Sequence, residues 1–97
     1  MNILMTWIDE NTEGERAKLY RKIDPESISI IGHRVYFAHY GAWHTNSLHG
    51  RYQIDLDRCN HIMCDPEMIS SEMERFNFPD EGDLGYYNHV AELKERK

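Results

Sequence analysis

Hydrophobic and polar positions alternate most regularly between Ser27 and Leu56. Ile28 and Ile30 alternate with serines, Val35 and Phe37 with Arg34 and Tyr36, and Tyr52, Ile54 and Leu56 with Arg51, Gln53 and Asp55. A period of two is that of half-buried strands, so the stretch predicts a β-meander. Gly32-His33 separates the first two runs, and glycine at the first central position suits a two-residue type II′ turn. With Ile31 opposite Arg34, the register sets Ile30 against Val35 and Ile28 against Phe37, all four on one face.

The flanking segments have other periods. Asn2 to Asp9 is nearly continuously apolar through Ile3, Leu4, Met5, Trp7 and Ile8, which predicts a central strand covered on both faces. Thr12-Glu13-Gly14-Glu15 has the spacing of a capping box, and the good helix formers Arg16 to Lys22 follow it before Asp24-Pro25. The expectation there is a helix. The competing reading is a second strand with Ala17, Leu19 and Ile23 inward, an alternation that Arg21 breaks. His61 to Met63 reads as a short edge strand. Asp65-Pro66-Glu67 then has the chemistry of a helix start, and Ile69, Met73 and Phe76 form an inward stripe while Glu67, Ser70, Ser71 and Glu74 face outward. Phe78 to Gly82 breaks the run, and a last helix from about Asp83 to Arg96 would bury Tyr86, Val90 and Leu93. The expected architecture is a single α+β domain over residues 1–97. It has one antiparallel sheet of about four strands and helices mainly on one face, in the order β-α-β-β-β-α-α.

Composition changes this picture little. With 97 residues, 40% hydrophobic and 29% charged, the chain describes an ordinary globular domain with a small core. The apolar run at the N-terminus is too short to span a bilayer and has no basic flank, so a cytoplasmic protein is expected, with Cys59 and Cys64 as reduced thiols.

Charge changes it more. The net charge is −6, and residues 65–97 hold nine of the seventeen acidic side chains. Between Asp65 and Asp83 stand Asp65, Glu67, Glu72, Glu74, Asp80, Glu81 and Asp83 against Arg75 as sole cation. Such a balance disfavours direct contact with nucleic acid or an anionic membrane, both of which demand a cationic footprint. It favours a basic protein partner.

Three constellations carry candidate chemistry. His44, His49, Cys59 and Cys64 supply four ligands of the kind that hold a tetrahedral zinc, although the cysteines stand farther apart than in the strongest zinc patterns. His39, His49, Arg51, Tyr52 and Asp55, on neighbouring strands and the intervening loop, supply the side chains a small histidine-dependent ribonuclease would use. The solvated face of a sheet would explain the same residues. The acidic segment itself could present carboxylates in a row as a nucleic acid presents phosphates, and solubility alone would also explain it. Trp43, in the ten-residue loop from Gly41 to Gly50, would anchor a partner if exposed or close the end of the sheet if buried.

The reading that joins these observations is a small non-enzymatic inhibitor or interaction protein without a cofactor. Its partner would be a basic, nucleic-acid-handling protein, as for a nuclease immunity protein or a phage-encoded inhibitor of a host defence complex. The contact residues would be Glu67, Glu74, Asp80, Glu81, Asp83 and Trp43. An exposed edge of the meander could also pair with a second copy.

Overall fold

A computed structural model describes residues 1–42, 50–78 and 89–92. Among them the first pair of elements is a hairpin. β1 (Ile3–Ile8) runs antiparallel to β2 (Glu15–Tyr20), with Ile3 opposite Tyr20 and Ile8 opposite Glu15. The segment Thr12–Glu15 is the connecting turn, and no helix starts there. Glu13 adopts a left-handed φ of 57°, its amide bonds the Asp9 carbonyl, and the Asp9 amide bonds that of Gly14. The Thr12 hydroxyl accepts from the Gly14 amide instead of capping a helix.

β3 (Ser29–Ile31), β4 (Arg34–Ala38) and β5 (Arg51–Asp55) form the expected meander. Ile31 pairs with Arg34 and Ile30 with Val35. Gly32 at the turn has φ 61°, the left-handed value that the first position of a type II′ turn requires. Leu56–Arg58 then makes one 3-10 turn, and β6 (His61–Met63) returns to pair with β1. α1 (Pro66–Met73) follows, and β7 (His89–Glu92) pairs with β2.

Two antiparallel sheets result, one of order β6-β1-β2-β7 and one of order β3-β4-β5. The architecture therefore differs from the expected single sheet with helices on one face. Among the described residues the element order is β-β-β-β-β-β-α-β, and the only α-helix is α1. Two of the three segments read as helices are strands where they are described: Glu15–Tyr20 of the first is β2, and His89–Glu92 of the last is β7. β2 and β7 pair with each other, so each supplies the partner the other needs.

β1 is central, as its continuous apolarity implies. Leu4 faces a cluster with Ala17, Leu19 and Ala91 of the sheet and Ile69 and Phe76 from the α1 side. Ile3 faces a second cluster with Tyr20, Ile23, Val35, Phe37 and Ile54, which joins the sheet to the meander. The layers are thus helix, four-stranded sheet and three-stranded sheet. Fully burying each of the large side chains contributes about 1.5–3 kcal/mol.

The join between sheets also uses main chain. Lys22, with φ 57°, interrupts the alternation of β2. Leu19 therefore belongs to the helix-side cluster and Ile23 to the meander-side one. The Asp24 amide then bonds the Ala38 carbonyl, and the Tyr40 amide bonds that of Lys22. Ser27 seals this corner, its hydroxyl accepting from the Ala38 amide at 2.9 Å and donating to the Asp24 carbonyl at 2.6 Å.

Two further details depart from expectation. Ile30 lies opposite Val35 but is 68% exposed, and Ile31 is 66% exposed, because β3 is an edge strand beyond the reach of the second sheet. Thr6, on the Leu4 side of β1, is 0% exposed and its hydroxyl has no hydrogen-bond partner.

Burying an unsatisfied hydroxyl costs about 1–3 kcal/mol. Thr6→Val keeps the shape and removes that group, so urea unfolding should show a gain of about 1 kcal/mol with an unchanged m value. A loss of stability would mean that the hydroxyl is solvated or bonded.

Candidate functional site: an acidic helix face and an aromatic cluster

The sequence of α1 accounts for its exposed carboxylates. Asp65 caps it, its Oδ1 accepting from the amides of Glu67 at 2.9 Å and Met68 at 3.1 Å, and Pro66 occupies the first turn. The cap and the inward stripe fix the helix rotation: Ile69 and Phe76 are buried, Met73 half-buried, and Glu67, Ser70, Ser71 and Glu74 exposed. Glu67 and Glu74 stand two turns apart on that outward side, separated by roughly 10 Å along the axis. Asp80, Glu81, Asp83 and Trp43 lie outside the described residues.

Arg75 is spoken for. One guanidinium nitrogen donates to Glu72 at 2.6 Å and another to Glu15 at 2.9 Å, across sixty positions of sequence. Burial works against its charge, but the carboxylates of Glu15 and Glu72 outweigh it and raise its pKa further. The Arg75 guanidinium also lies 5.6 Å from the centroid of the Phe76 ring. The one cation of the acidic stretch thus ties the end of α1 to the start of β2. No ion pair among the described residues involves Glu67 or Glu74.

The histidine constellation divides between two faces. His39 Nε2 lies 2.8 Å from the Tyr52 hydroxyl, and their rings meet edge to face at 5.2 Å. Alternation along β5 puts Arg51 and Asp55 on the opposite face of the meander from Tyr52, so the structure does not bring them to the His39–Tyr52 pair. Arg51 Nε instead donates to the Ala42 carbonyl at 3.4 Å. His49 lies outside the described residues.

What His39 and Tyr52 do join is an aromatic cluster. Tyr20 lies 4.9 Å from Phe37 and 5.1 Å from Tyr52, and Lys18 Nζ stands 4.9 Å from the Tyr20 ring centroid. Lys18 and Tyr20 escape a sequence reading that makes their segment a helix. Read as a strand, the same segment sets them together on one face, which is the signal that would have found them.

The cysteines are also separated from one another by environment. Cys59 is half-buried against the meander-side cluster, with Sγ 3.7 Å from the Leu56 carbonyl oxygen, and burial followed by the Asp55 charge pushes its thiol up. Cys64 is exposed. Among the described residues no three His, Cys, Asp or Glu side chains are grouped to hold a metal ion, and His44 and His49 lie outside them. No helix among the described residues is long and apolar enough to cross a membrane.

Tyr20 gives this cluster a pH signature. Burial first, and then the neighbouring Tyr52, push its hydroxyl up to about 12, against about 10 for an unfolded chain. Below pH 10 both states are protonated and the contribution is constant. Between about pH 10 and 12 the unfolded state loses this proton first, so stability falls by about 1.4 kcal/mol per pH unit. Urea unfolding of Tyr20→Phe across this range should show a shallower alkaline decline than the parent. Equal slopes would place the hydroxyl in water.

Comparison of the chain with protein-family models, with curated proteins and with solved structures finds no match in any of the three.

Proposed function

We propose that this chain is a small acidic interaction protein, an inhibitor that engages a basic nucleic-acid-handling protein through the outward side of α1 and the acidic segment that follows it. The observation that carries the reading is the commitment of Arg75 to Glu15 and Glu72, which leaves Glu67 and Glu74 exposed and outside every ion pair among the described residues. Carboxylates in that position compete for a cationic groove as phosphates do, and opposite fields speed the encounter. Nuclease immunity proteins and phage-encoded inhibitors of host defence complexes are the classes with this physical logic. The free edge of β3, where Ile30 and Ile31 are exposed, is where a second copy would add.

The test is affinity chromatography of candidate basic nucleases and of defence-complex subunits on the immobilised chain, followed by a salt titration of whatever is retained. Binding should weaken steeply with salt, since charges at an interface rim are screened. Glu67→Lys with Glu74→Lys should weaken it about tenfold at low salt and flatten the salt dependence, because rim charges act on encounter more than on packing. Equal affinity of parent and double variant would remove α1 from the contact.

A further inference from the structure

The two sheets do not match in size, and a cleft opens where the smaller one stops. Met5 and Trp7 of β1 and Tyr20 of β2 line one side, and Gln53, Ile54, Asp55 and Arg58 line the other, around a volume of about 260 Å³. The floor is a thioether, an indole, a phenol ring and an isoleucine. The remaining wall is the edge of β5 away from β4, which pairs with no other strand among the described residues.

The pairing of β5 fixes what that edge presents. The His39 amide bonds the Gly50 carbonyl at 3.0 Å, and the Leu56 amide bonds the His33 carbonyl at 2.8 Å. In an antiparallel ladder bonded pairs alternate with unbonded ones. The register then makes Phe37 with Tyr52, and Val35 with Ile54, the bonded pairs, and leaves Tyr36 with Gln53 unbonded. The main-chain N–H and C=O of Gln53 therefore both point away from β4, to the side where the cleft lies. A strand edge of this kind offers a donor and an acceptor side by side, held rigidly by the ladder behind them. Arg58, its side chain 88% exposed and 3.9 Å from Asp55, stands at the rim.

We propose that this cleft is a binding site for a small planar heteroaromatic molecule of nucleobase size that carries a hydrogen-bond donor next to an acceptor. An apolar, aromatic-lined hollow with a few placed polar groups is the usual form of such sites, and this volume is slightly under the range that holds drug-sized ligands. One bicyclic ring system fits it; a nucleotide does not. The ring packs against the half-buried Trp7 and Met5, and its donor and acceptor pair with the Gln53 carbonyl and amide. This site shares no residue with the acidic side of α1, so it stands independently of the proposed partner.

The test uses 9-methyladenine, whose N6–H lies beside N1 and whose rings carry no N–H, titrated into the ¹⁵N-labelled full chain and followed by amide and indole NMR shifts. Saturable shifts of the Gln53 amide and the Trp7 indole N–H are expected. N6,N6,9-trimethyladenine, which carries no N–H donor, should bind at least tenfold more weakly. Gln53→Pro removes the outward N–H at an edge position where proline costs no ladder bond, and should also weaken binding at least tenfold. Should that variant not fold, the comparison of the two adenines on the parent decides. The proposal is overturned by the absence of saturable shifts, by equal affinity for the two adenines, or by response of these signals only to an extended apolar peptide or to rising protein concentration.

Discussion

A strand that is apolar on both faces has to be covered on both, and β1 sets that demand for the rest of the molecule. Leu4 and Thr6 turn one way and Ile3, Met5 and Trp7 the other. Neither side can be left to water without losing several buried side chains at about 1.5–3 kcal/mol each. The order of the chain meets the demand in sequence. β2 pairs along one edge of β1, and the meander then covers the Ile3 side. β6 then returns along the free edge of β1, with Leu4 opposite Met63, and hands the chain to α1 on the Leu4 side.

This constraint also explains which elements could be read from sequence. β1 was legible because its apolar run is continuous, and the meander because its alternation and Gly32 turn leave one workable register. α1 was legible because Asp65-Pro66-Glu67 and the spacing of Ile69, Met73 and Phe76 agree. Residues 12–23 were not. Arg16 to Lys22 contains good helix formers, and propensity differences of a few tenths of a kcal/mol per residue yield to an available strand edge. Lys22 hid the competing strand pattern further, because its left-handed backbone puts Ile23 on the face opposite Leu19. With residues 15–20 read as a helix, the strand edge on which His89–Glu92 pairs is missing, and the spacing of Tyr86, Val90 and Leu93 reads as a helix stripe.

The acidic character was legible as a sum, but its distribution was not. Glu15, which its spacing assigns to a capping box, instead holds Arg75 from sixty positions away. No local pattern reports a pairing of that range. It decides how the C-terminal carboxylates count, because Arg75 is shared between Glu72 and Glu15 and fastens α1 to β2. The described members of the ribonuclease-like set are divided for the converse reason. Tyr52, Arg51 and Asp55 are close in sequence, yet a strand sends alternate side chains to opposite faces, and the parity of their positions separates them.

Strand parity governs the main chain as well. On β5 the side chains of Tyr52 and Ile54 enter the core, and the same residues spend their amides and carbonyls on β4. Gln53 is the reverse in both respects: its side chain is exposed and its main chain faces the open edge. An edge strand must leave every second residue in this state, and a protein usually protects it with charge, proline or a covering segment. Among the described residues no strand pairs with that edge, and the unequal widths of the two sheets set it beside Met5 and Trp7. A fixed polar pair therefore stands beside the Trp7 indole because a three-stranded sheet was laid on a four-stranded one.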